Sequence, residues 1–233
     1  MEKNHRRIVQ KADKHTRNKE YACLFPECKN KAIWSHAVPR ELCISAFADG
    51  GVLYGRQSSL CGSIAMTSSY DPPEIVEIGV NRASVFKGYC PYHDHFLFRS
   101  AETSERTKKH GMFIAQFLRA LSIEFCRKRQ VLDFYKKAAE LADSPILKNH
   151  FEGLAQPAQT MASLFKKLYL GNLFNLICGS DIDKVDYFCV PFTRNLGVSC
   201  SGCFDAIPEA FDSVIGYNLI SYPGSARQEK PQL

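Results

Sequence analysis

Two pairs of metal-capable side chains, Cys23 with Cys28 and Cys90 with His93, constrain this 233-residue chain more than any other feature. Four residues separate the first pair and two the second, so each pair can offer two ligand atoms from one tight turn. Two such pairs, far apart in sequence, are how a structural zinc site closes its tetrahedron. The alternative is four unrelated core residues. Against it, residues 21–99 are rich in Cys, His, Gly, Pro and Ser and too polar to bury much core of their own. A closed site would substitute for that core, and Pro26 would stiffen the first turn. The expectation is one structural zinc ion on Cys23, Cys28, Cys90 and His93.

The chain holds ten cysteines in all, at 23, 28, 43, 61, 90, 126, 178, 189, 200 and 203. The N-terminus MEKNHRRIVQ has basic residues but no apolar stretch of the secretory kind. A cytoplasmic protein with reduced or metal-bound thiols is therefore expected rather than a disulfide framework. Cys43, Cys126 and Cys178 sit in apolar surroundings and read as small core residues. Cys200 and Cys203 have knuckle spacing but no evident second pair, so packed thiols are preferred there. No apolar run reaches the ~20 residues of a membrane helix, so no membrane partner is expected. Hydrophobic residues at 45% and charged residues at 23% suit a folded globular chain.

The pattern divides the chain into four parts. Residues 1–20 are polar and basic and read as an arm or loose helix. Residues 21–99 read as a metal-stapled module of short strands and turns, with apolar runs at 32–34, 51–54 and 75–80. Residues 100–180 are helical. Met112, Phe113, Gln116, Phe117, Ala120, Leu121, Glu124 and Phe125 recur at helical spacing, giving one long helix from 105 or 111 to 142. Asp143-Ser144-Pro145 would end it. A short helix over 146–154 and another over 158–177 follow, the latter burying Met161, Leu164, Phe165, Leu168 and Leu176. From 181 to 233 the period shifts to two, with strands expected at 187–190, 197–200 and 214–221 and turns at Gly202, Pro208 and Gly224. The fold class is thus α+β: a zinc-stapled N-terminal module, a helical middle and a small antiparallel C-terminal sheet.

Net charge is +6, and it is uneven. Residues 1–19 hold seven Lys or Arg against two acids, and residues 104–137 hold nine against three. Two basic segments on a slightly acidic body suggest a polyanion, with DNA or RNA the leading partner. Arg6, Arg7 and Lys11 in the first segment and Arg127, Lys128 and Arg129 in the second are the candidate phosphate contacts, with Arg119, Lys136 and Lys137 beside them. Solvated helix faces are the competing account of the same charges.

His36 closes the apolar run Ala32–Trp34 and is followed by Ala-Val-Pro39, which would hold it rigidly at the end of a strand. Asp94 follows the second ligand pair, where a helix would begin. With the two pairs gathered on one ion, His36 and Asp94 could face one cleft. A neutral imidazole accepts a proton from water, and a carboxylate can hold a divalent ion against phosphate charge. Equally, His36 could be a zinc ligand or a structural imidazole, and Asp94 could simply favour a helix start.

Ser35-His36-Ala-Val-Pro39 and Cys90-Pro-Tyr-His93-Asp94 together resemble the signatures of the HNH, or ββα-metal, nuclease finger. The resemblance spans about residues 21–98 and implies a treble-clef-like module, a divalent-metal-dependent endonuclease activity, His36 as general base and Asp94 as ligand of a catalytic Mg or Mn ion. The chain is also similar to a set of uncharacterised bacterial proteins sharing Cys-x4-Cys, Ser-His-x-x-Pro and Cys-x-x-His-Asp. It departs from the nuclease pattern in three ways. Ser35 stands where Asp is usual, 53 residues separate His36 from Cys90, and the middle Asn has only Asn81 or Ser84 as candidates. Two other readings stand beside the nuclease. One is a non-catalytic zinc-stabilised module that binds nucleic acid or protein, and the other is a structural finger with function in the helical or C-terminal part.

Overall fold

Helix α1 (Glu2–Asn18) opens the computed structural model, which describes residues 2–40, 44–56, 75–102, 109–178, 199–205 and 214–220. Ile8, Ala12 and Thr16 fall at successive i, i+4 positions and are buried, while Arg6, Arg7 and Lys11 are exposed. Residues 1–20 are therefore not a free arm. They carry a packed amphipathic helix whose buried stripe joins Phe134, Ala138, Ala139 and Phe151 in a small core. The helical alternative holds, but its packing was not read, because Ile8, Ala12 and Thr16 are a sparse signal among so many charges.

The polar N-terminal module is built from short pieces. Strand β1 (Trp34–His36) leads to a helical turn α2 (Ser45–Phe47), strand β2 (Val52–Arg56), strand β3 (Ile75–Gly79) and strand β4 (Val85–Lys87). β1 pairs antiparallel with β4, setting Trp34 opposite Lys87 and His36 opposite Val85. β2 pairs with β3 as a separate ribbon, Val52 opposite Gly79 and Arg56 opposite Ile75. Val38, Ile44 and Ala83 form a minor core beneath it with Leu53, Ile78 and Val80.

The helical part follows. Helix α3 (Pro91–Glu102) leaves β4 after three residues, and α4 (Lys109–Leu141) is the long helix anticipated from the periodicity. Between residues 114 and 126 nearly every side chain of α4 is buried, and along its whole length α1, α3, α5 (Pro145–Leu164) and the C-terminal strands pack on it. Ser144 caps α5 by accepting a hydrogen bond from Leu147 N at 3.3 Å, with Pro145 at the first helical position.

Two expectations for residues 146–177 are corrected. α5 runs unbroken through Pro157, then continues as a π-helical segment (Phe165–Gly171) and helix α6 (Asn172–Cys178). Of the side expected to be buried, Phe165 is buried, Met161 and Leu164 are exposed, and the side chains of Leu168 and Leu176 lie outside the described ones; Ala162, Leu170, Leu173 and Phe174 are buried with Phe165. The π-helical turns shift the angular phase, so one 3.6-residue period does not describe the buried side on both sides of them.

Strands β5 (Ser199–Asp205) and β6 (Val214–Ile220) form an antiparallel ribbon along α4. Gly202 lies inside β5 rather than at a turn, and Cys200 and Cys203 share that one strand rather than a knuckle. The strand expected at 187–190 and the turns at Pro208 and Gly224 lie outside the described residues. The described architecture is mainly helical, with small antiparallel sheets. No described helix is long and apolar enough to cross a membrane.

Candidate metal centre

The first ligand pair sits on a turn fixed by backbone bonds. Cys28 N donates to Phe25 O at 3.1 Å and Cys23 N to Asn30 O at 2.8 Å. Glu27 takes the left-handed conformation (φ 61°) that bends the chain back toward Cys28. Leu24 N donates to Gly88 O at 2.8 Å and Ile33 N to Tyr89 O at 2.7 Å, which ties this turn to the approach of the second pair. Gly88 is required there. A Cβ would lie 2.3 Å from the buried Phe86 ring. Cys90 then stands just before α3, and His93 lies within its first turn, one helical turn on.

Cys23, Cys28, Cys90 and His93 thereby converge, their ligand atoms all within 4.8 Å of one another. His93 Nδ1 lies 3.4 Å from Cys23 Sγ and 3.3 Å from Cys90 Sγ, and Cys28 Sγ lies 4.0 Å from Cys90 Sγ. A tetrahedron with bonds of ~2.3 Å to sulfur and ~2.0 Å to nitrogen has edges of roughly 3.5–3.8 Å. The quartet matches that size and can hold a metal ion. All three thiols are free of disulfides. The Phe25 ring stacks on His93 at 3.9 Å and 9°, fixing the imidazole plane, and Phe174 meets Phe25 edge-on at 5.5 Å. The quartet thus lies against the largest hydrophobic core, which runs through Tyr89, Phe98, Leu118, Phe165 and Phe174.

The electrostatics suit ligation. Burial lowers the His93 pKa, favouring the neutral imidazole that ligates. Burial also tends to raise Cys90, but the His93 backbone N–H and the thiols of Cys23 and Cys28 donate to its sulfur and bring it below the usual thiol value. Burial pushes the Cys23 thiol up to about 11, so metal uptake must displace a proton there.

The other anticipated residues are distributed as follows. His36 ends β1 on the face it shares with Trp34, half-buried, with Nε2 3.2 Å from Val80 O. It is not one of the convergent ligands. Asp94 lies in the first turn of α3, its N–H donating to Cys90 O at 2.9 Å, a position where a carboxylate also meets the positive end of the helix. Among the described residues, neither His36 nor Asp94 joins a second group of three or more metal-capable side chains. His95 is exposed.

The basic triplet divides. Arg127 is exposed and pairs with Glu124 at 3.6 Å, and Lys128 pairs with the same carboxylate at 3.3 Å. Arg129 is held by the protein: it donates to Lys87 O at 2.9 Å, and its guanidinium lies 3.8 Å from the Tyr21 ring centroid. Arg119, expected beside it as a phosphate contact, is only 1% exposed and lies 4.4 Å from the Phe98 ring centroid. Two residues escaped the sequence reading, Tyr92 and Phe96. They are 70% and 59% exposed on α3, with parallel rings 6.3 Å apart. The available signal was an i, i+4 aromatic pair on the side of α3 away from Leu97 and Phe98. No protein-family model, curated protein or solved structure matches the chain.

Proposed function

We propose that the chain is a zinc protein that interacts with nucleic acid, and that residues 21–98 form a degenerate HNH-type finger that hydrolyses phosphodiesters. The observation carrying this reading is the order of elements around the quartet. A ligand turn, a strand ending in His36, its antiparallel partner and a helix bearing the second ligand pair follow one another around one site. Three thiolates and one imidazole in a closed tetrahedron favour zinc in a structural role. His36 would act as the general base. Its Nε2 lies against Val80 O, so the ring is oriented by a backbone carbonyl, leaving Nδ1 as the nitrogen to accept a proton from water. Asp94, one residue beyond ligand His93, would hold a Mg or Mn ion whose chemistry is to stabilise charge on phosphate.

The test incubates the purified chain and His36→Ala with single- and double-stranded DNA and RNA, with and without Mg²⁺ or Mn²⁺. Divalent-dependent cleavage that His36→Ala loses at unchanged zinc content is the expected result. Absence of cleavage on every substrate, or equal cleavage by the variant, overturns the catalytic part. A second reading, a structural finger without catalysis, is favoured by the packing of the quartet against the main core. It predicts that His36→Ala changes nothing but stability.

A further inference from the structure

α3 buries Leu97 and Phe98 on one side and exposes Tyr92, His95, Phe96 and Arg99 on the other. Those four occupy i, i+3, i+4 and i+7, so they form one continuous stripe along the helix. The Tyr92 and Phe96 rings lie parallel within 4°, and Tyr92 also meets the ligand His93 edge-on at 5.1 Å. Among the described residues, neither His95 nor Arg99 has an ion pair or side-chain hydrogen bond. The stripe therefore presents two large aromatic faces to water, with the His95 imidazole between them and Arg99 one turn beyond.

We infer that this stripe is a binding site for single-stranded nucleic acid, with bases stacking on Tyr92 and Phe96 and Arg99 meeting the phosphates. The inference rests on the nucleic-acid reading above, but not on cleavage. Three observations select this occupant. Tyr92 and Phe96 expose large ring faces to water, the platform on which successive bases stack. Arg99, exposed and without an ion pair among the described residues, offers a phosphate contact beside those rings. A flat ring gains most from a base whose own face is free, which a strand offers and an intact duplex does not.

The site differs from the surfaces expected from charge alone. Arg119 and Arg129 are engaged inside the protein, and Lys128 shares Glu124 with Arg127. Stacking on α3 would also place a bound strand on the helix that carries His93 and Asp94, next to the metal centre.

The test is fluorescence anisotropy of the zinc-loaded full chain with labelled dT12, U12 and a 12-base-pair duplex, without added Mg²⁺ or Mn²⁺. Binding to the strands tighter than to the duplex is expected. Phe96→Ala and the double change Tyr92→Ala, Phe96→Ala should weaken strand binding by on the order of 5-fold and 50-fold. Tyr92→Phe keeps the ring and should bind as wild type. Arg99→Ser should lower the log–log salt slope by about 0.7. Zinc content and far-UV circular dichroism identify any variant that has lost its fold, and Phe96→Ala, further from the ligands, then stands for the double variant. Equal binding by wild type and a folded Phe96→Ala overturns the inference, as do tighter duplex binding and no oligonucleotide binding at low salt, the result a protein-docking stripe would give. Stack-dependent binding without cleavage in the earlier assay upholds this site while the nuclease reading falls. Cleavage that survives both aromatic changes undiminished, with strand binding intact, does the reverse.

Discussion

Arg127 and Arg129 are two positions apart and identical in composition, yet their environments predict opposite outcomes. Arg129→Ser loses a charged hydrogen bond to Lys87 O and the contact with the Tyr21 ring, an expected cost of about 2–3 kcal/mol in denaturant unfolding. Arg127→Ser, on an exposed side chain, should stay within about 0.5 kcal/mol. Cys126 is a second case. Burial pushes its thiol up to about 11, against a weaker lowering by Arg129. A folded-state value above the unfolded one gives stability that is full below about pH 9 and is lost as pH rises through 11. The denaturation midpoint of wild type should therefore fall between pH 8 and pH 10.5 by more than that of Cys126→Ala. In native protein at pH 8, iodoacetamide followed by peptide mapping should leave Cys126 unmodified. The ligand quartet was legible from spacing alone because ligation demands residue types at fixed offsets. The fate of each arginine was not, because Lys87 O and the Tyr21 ring reach Arg129 only through tertiary folding.

α4 was legible almost to its ends, since a 33-residue helix repeats its period many times. α1 was not: residues 1–20 read as an arm or loose helix, and the structure gives a helix packed on α4. Ile8 and Ala12 are buried against Phe134, Ala138 and Ala139, and Lys19 pairs with Asp133 at 2.6 Å. Deleting 1–19 uncovers that core and should cost at least about 3 kcal/mol, read as a fall in the thermal midpoint. An unchanged midpoint would mean that α1 does not hold this position in solution. The continuity of α5 was illegible for another reason. Proline is a strong breaker on average, but Pro157 is tolerated within a helix that packs on α4, with Phe151 against Phe134 and Ala138 in one core.

Across the whole molecule, the metal quartet belongs to one core and the α1–α4–α5 contact to another. Chelation should therefore loosen the two unequally. Trp34, the single tryptophan, lies on β1 within residues 21–99, whereas most described helix lies outside that stretch. Removing metal should shift Trp34 emission while far-UV circular dichroism keeps most of its helical signal. Simultaneous loss of both signals would make the molecule one cooperative unit, and no change in either would exclude a metal from the quartet. Cys28 and Cys90 are 62 positions apart, with their sulfurs at 4.0 Å. The entropy of closing so long a loop grows only with the logarithm of its length, about 0.6 kcal/mol per doubling. The stretch between β1 and β4, which now carries the β2–β3 ribbon, is thus a permissive port. Segments of very different size could be spliced there, or lost, while the ligand turns on either side still find each other.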